Sequence, residues 1–158
     1  MENMSTLNDL VAQSEYIADK KCRLENQWHS YHSTLIRAVT ISNKKINHQF
    51  TCSIDNDIRF KLFNHFTVCI HLDNGFYNQN IAYRINLNDA TEDEQFLTFA
   101  HATLDENNKI DEQIDINNQQ EIFQHYLNKI QPIYQCIFDA LQSKQPITPA
   151  LKKLLNSI

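Results

Sequence analysis

The chain has 158 residues, 42% of them hydrophobic, with a formal charge of −5 and a pI near 5.7. That length can bury one sizeable core, and the acidic balance gives no general attraction to a phosphate backbone. A single glycine argues against Gly-rich phosphate loops and against a nucleophile elbow, since both need backbone conformations that glycine supplies.

The chain opens on its longest pattern. Leu7, Leu10, Val11, Ile17, Ala18, Leu24, Trp28, Tyr31, Leu35, Ile36 and Val39 recur at steps that put them on one helical face. No Pro or Gly interrupts them, which predicts one helix over residues 5–42. Roughly 35 residues at 1.5 Å each reach about 50 Å, more than a small domain covers alone. Part of the stripe must pack on the C-terminal helix, on a sheet, or on another chain. Seven-residue spacing is fair, but Ser14 and Lys21 fall on the seam, so a self-paired coiled coil is one option beside an amphipathic helix lying on its own domain.

Residues 45–116 read as an antiparallel sheet. Ile46, His48, Phe50, Cys52 and Ile54 alternate with polar residues, a half-buried strand, and Asp55-Asn56-Asp57 is a turn. Ile58, Phe60 and Leu62 form a second strand, broken or bulged at Phe63-Asn64-His65. Asn74-Gly75 suits a two-residue type I′ turn. That turn pairs Leu72 with Tyr77, Ile70 with Gln79, Val68 with Ile81 and Phe66 with Tyr83, leaving one face apolar. From Asn88 to Asn117, nine acids meet one basic residue, Lys109. Asp89 to Glu94 reads as a loop, Phe96 to Leu104 as a strand, Asp105 to Asn108 as a turn, and Ile110, Ile114 and Ile116 as a short last strand. The acids suit a solvated edge that discourages sheet-to-sheet association, or a docking surface for a basic partner.

Asn117 or Asn118 caps a second helix over 118–143, with a wide apolar stripe from Ile122 to Leu141 that Pro132 should kink or divide. Thr148-Pro149 starts a tail helix over 148–155. The whole is expected to be one α+β domain, residues 1–158: a long N-terminal helix, about five antiparallel strands, and a C-terminal helix packed on the sheet.

Little chemistry is written into this frame. Cys22, Glu25, His29 and His32 share one helical face and are a weak metal candidate, but a flat face rarely closes a tetrahedral shell, and a solvated flank explains them as well. His48 with Cys52, and Cys69 with His71, each share a strand face, where packing is the simpler role. No catalytic set and no cofactor motif is visible. The basic clusters are short and surrounded by acids, so no nucleic-acid contact is expected. The four cysteines are scattered, with no CxxC pair, which fits reduced thiols and a cytoplasmic location. No signal peptide or membrane span is expected.

Ser14-Glu15-Tyr16-Ile17-Ala18, Arg23-Leu24 and Gln27-Trp28-His29 with Tyr31 resemble the first helix of the formate hydrogenlyase regulatory protein family. The likeness runs on through Leu62-Phe63-Asn64-His65-Phe66, the Asp73-Asn74-Gly75-Phe76 stretch, and Gln124 to Ile130 with Tyr134. The resemblance implies a non-enzymatic repressor of the hyc operons that opposes their formate-responsive sigma54-dependent activator, and leaves open whether it acts on the activator itself, its formate sensing or its DNA complex. Inhibitory protein contact with the activator is the leading expectation. Aromatics dominate such contacts, so Leu24, Trp28, Tyr31 and Leu35 are the candidate anchors, with core packing as their alternative. A homodimer is expected from the helix length. The competing expectation is a small-molecule or metal-sensing module of the same pathway.

Overall fold

The computed structural model describes residues 2–54, 57–73, 79–87 and 95–157. Helix α1 runs unbroken from Glu2 to Ile46. Lys44 and Lys45 sit in its last turn and complement the helix dipole. Asn47, at φ 50°, ends it, because asparagine tolerates the left-handed conformation that closes a helix.

Seven strands follow: β1 (His48–Ile54), β2 (Asp57–Leu62), β3 (Phe66–Asp73), β4 (Gln79–Asn86), β5 (Phe96–Leu104), β6 (Lys109–Ile110) and β7 (Ile114–Asp115). Each pairs antiparallel with its chain neighbours, forming one meander. Then come α2 (Gln119–Gln142) and α3 (Ile147–Asn156). The expected α+β architecture holds, with seven strands rather than five. The expected last strand is in fact two, split by a turn at Asp111 and Glu112, both at positive φ.

Register departs from expectation in an instructive way. Leu72 pairs with Ile81, Ile70 with Tyr83 and Val68 with Ile85, four residues from the expected pairing. Asp73 pairs with Asn80, so the connection is longer than a two-residue turn. Asn74 to Asn78 themselves lie outside the described residues, as do Asp55-Asn56 and Asp89 to Glu94. An even shift preserves side-chain parity, so the apolar face survives intact.

Two bulges alter faces. The first, between Phe50 and Cys52, sets Cys52 against Arg59 and Ser53 against Ile58. Cys52 therefore leaves the face of His48, correcting the expectation that they share it. The second, opposite Tyr83 and Arg84, lets both Phe99 and Ala100 turn inward and explains the loose alternation of β5.

All three helices lie on one face of the sheet. Trp28, Tyr31, Leu35 and Val39 of α1 join Ile58, Phe60, Val68, Ile70, Tyr83 and Ile85 of the sheet. Ile122, Tyr126, Ile130 and Ile133 of α2, with Leu151 and Leu155 of α3, complete the core. Asn118 caps α2 by accepting the Glu121 N–H at 3.2 Å. Pro132 does not divide α2. It lies on the exposed side, where water can serve the carbonyl it leaves free. Several acids of the run are turn-formers: Asp105 accepts the N–H groups of Asn107 and Lys109, and Asp115 that of Asn117.

Candidate interaction surface

The two halves of α1 differ in what touches them. The C-terminal half is bound into the domain. Leu24, Trp28, Tyr31, Leu35, Ala38 and Val39 follow steps of three and four and are all buried. Polar contacts fix the helix along its length. The Gln27 side-chain amide donates to the Glu106 carbonyl at 2.7 Å, and Lys20 pairs with the Glu106 carboxylate at 2.6 Å. His32 Nε2 meets Ser53 Oγ at 2.7 Å, on the exposed edge where the β1 bulge sets Ser53 opposite Ile58.

Above Lys20 this covering stops. Every described side chain from Ser5 to Asp19 is exposed. Leu7, Leu10, Val11 and Ile17 are 59%, 57%, 47% and 51% exposed, with Tyr16 beside them. Steps of three, four and seven between these residues extend the stripe that becomes the core further down. An apolar row of this length facing solvent makes the arm a candidate interaction surface.

The candidate anchors take the second of their two expected roles, core packing. Leu24, Trp28, Tyr31 and Leu35 are 2%, 2%, 0% and 0% exposed and are spent on the domain's own core. Sequence periodicity could not separate them from Leu7 or Leu10, because one stripe serves both halves. What marks the division is where the sheet and the β5–β6 turn end against the helix.

A second uncovered apolar area lies at the opposite end of the domain. Phe63, Tyr134, Phe138, Leu141, Ile147 and Pro149 line an open groove of about 830 Å³ between the β2–β3 turn, the end of α2 and the start of α3. Phe138 and Leu141, expected in the core stripe of α2, are 57% and 61% exposed. Phe63 is held outward by a positive φ of 53°, with its N–H on the Asn47 carbonyl and its ring 5.3 Å from Tyr134.

The metal candidate is not assembled. Among the described residues, no three or more His, Cys, Asp or Glu side chains gather to hold an ion. Cys22, Glu25 and His29 are exposed, and His32 is engaged with Ser53. Burial, then the His29 charge, lowers the His32 pKa. Cys69 and His71 do share a face, both bonded to Asp57: Cys69 Sγ lies 3.5 Å from Oδ2 and His71 Nδ1 2.7 Å from Oδ1. Burial, with the Asp57 charge, pushes the Cys69 thiol up to about 12, so it stays protonated and is a poor nucleophile.

The buried polar groups tie elements together. Tyr31 and Tyr83 hydroxyls lie 2.8 Å apart, and burial raises both. His125 Nε2 lies 2.8 Å from Asp111, which also holds Lys129 at 3.4 Å. Burial lowers the His125 pKa, and its Nδ1 has no hydrogen-bond partner, so the neutral ring donates through Nε2. Burial alone would raise Asp111, but bonds from His125 and the Thr103 N–H hold it below the usual carboxylate range.

The molecule is thus an α+β domain with apolar side chains exposed on its N-terminal arm and in the groove beside α2. No helix of the described residues is long and apolar enough to cross a membrane. The chain belongs to the family described as the transcriptional repressor of hyc and hyp operons, whose model matches residues 5–153. It is 30% identical over 142 residues to the formate hydrogenlyase regulatory protein HycA of Escherichia coli strain K12, covering 90% of this chain and 91% of that one. The HycA proteins of Escherichia coli O157:H7 and Shigella flexneri match equally. No solved structure matches.

Proposed function

We propose that this protein represses formate hydrogenlyase genes in the cytoplasm by protein contact, opposing their formate-responsive sigma54-dependent transcriptional activator. The observation that carries this reading is the bare apolar row Leu7, Leu10, Val11 and Ile17 on a helix otherwise fixed to its domain. An amphipathic helix with anchors at such spacing is a common way of filling a groove on a partner. Its charge favours a protein over DNA. From Ser5 to Asp19 the helix carries Asp9, Glu15 and Asp19 and no Lys or Arg, so a phosphate backbone repels it. The role needs no cofactor and no catalytic step.

The experiment is a titration of this protein against the purified activator, with and without promoter DNA and formate, beside a DNA-only control. Saturable binding to the activator is expected, lost on Leu10→Glu with Ile17→Glu. Absence of binding under every condition overturns the mechanism, as does tight binding to the promoter alone.

A further inference from the structure

We propose that the exposed N-terminal arm of α1 docks in the groove of a second copy, and that the exchange is reciprocal, giving an antiparallel dimer. This rests on reading the arm as a docking helix, but not on the identity of the activator. Three observations converge on it.

The first is placement. Among the described residues, one chain carries two uncovered apolar surfaces, the arm around Leu7 to Ile17 and the groove around Phe63, Phe138 and Leu141. The groove lies at the C-terminal end of α1, since Phe63 N–H bonds the Asn47 carbonyl and Tyr134 bonds that of Ile46.

The second is distance. The 45-residue helix is about 68 Å long, and the arm's apolar row begins some 45 Å from the groove along a single unbroken rod. No arm can reach the groove of its own chain. Two copies of α1 laid antiparallel bring each arm to the other's groove, and a two-fold axis closes the pair with no surface left over for a filament.

The third is charge. The arm is acidic through Asp9, Glu15 and Asp19, whereas α1 from Asn26 onward carries Arg37, Lys44 and Lys45 and no acid. Lys44 and Lys61 border a smaller cleft that shares Phe63 with the groove. Opposite charges therefore meet only when the helices run antiparallel, which is also the arrangement that opposes their dipoles. Ile41, 74% exposed on the basic half, adds an apolar contact for the incoming arm.

Sedimentation equilibrium of the full chain tests the inference, with circular dichroism confirming the fold. A dimer mass is expected for the native chain. Leu10→Glu with Ile17→Glu, and separately Phe138→Glu with Leu141→Glu, are each expected to weaken it at least ~10-fold. The decisive pair is charge reversal at accessible positions. Asp9→Lys with Glu15→Lys weakens the dimer, and adding Lys44→Glu with Lys61→Glu restores it. A monomer at every concentration overturns the proposal. So does a dimer that ignores the groove substitutions, because the arms would then be pairing with each other, or a reversal that fails to rescue. A dimer that does not bind the activator upholds this inference while ending the activator reading. A monomer that binds it does the reverse.

Discussion

The Tyr126 hydroxyl and His48 Nε2 lie 2.5 Å apart in the buried core, joining α2 to the first strand. Tyr134 bonds the Ile46 carbonyl at 2.6 Å and lies 3.5 Å from His48 Nδ1, so the ring is bonded at both nitrogens. Burial pushes the His48 pKa down to about 3, and the imidazole is neutral. Tyr126 then donates to Nε2, and Nδ1–H points to the Tyr134 oxygen.

This arrangement sets a pH dependence. An unfolded histidine titrates at about 6.5, so below that pH the unfolded chain takes up a proton that the folded ring refuses. The stability His48 contributes is complete above that value and is lost as pH falls toward 3. The slope is up to ~1.4 kcal/mol per pH unit for one such group. His32 and His125, also lowered, act in the same direction. Urea titrations from pH 7.5 down to 5 should show the loss, and His48→Gln should flatten it.

The Tyr31–Tyr83 contact yields a double-mutant test. Tyr31→Phe leaves the Tyr83 hydroxyl buried without its partner and is expected to cost ~1–3 kcal/mol. Tyr31→Phe with Tyr83→Phe removes both polar groups and should recover much of that loss, measured by chemical denaturation.

Stability and contact should separate along α1. Trp28→Ala empties a core position and is expected to cost ~3–5 kcal/mol. Leu10→Glu, on the bare arm, should change stability by less than ~0.5 kcal/mol while abolishing activator binding. Thermal melts and binding titrations on the same two variants check both halves of the claim.

Arm and groove should also separate by partner. Phe138→Glu disables the groove and leaves the arm intact. It is expected to yield a monomer that still binds the activator, at least as tightly as the native chain. Equal loss of both properties would show that the groove itself is the activator's site.

The sequence-to-structure relation divides along physical lines. The alternation of Ile58, Phe60 and Leu62, and of Val68, Ile70 and Leu72, was legible because a half-buried strand has a period of two. The register between β3 and β4 was not, because a shift of four leaves that pattern unchanged. The bulges near Cys52 and Phe99 were equally silent, since one extra residue carries no composition of its own. In α1 the stripe was plain, but its division into core and arm depends on the Glu106 turn, eighty-six residues beyond Lys20. Phe138 and Leu141 read as core for the same reason: nothing local announces that the sheet ends before it covers them.

The unbroken run of α1 from core to arm also fixes an azimuth. Because no proline, glycine or cap separates Leu24 from Ile17, the direction in which the arm faces is set by the packing of Trp28 and Leu35, many turns away. One alanine inserted after Asp19 would swing the arm by about 100° while leaving Lys20 on Glu106. Seven would return it nearly to its original bearing but some 10 Å further out. In the contacts proposed above, the helix acts as a shaft with a keyed angle.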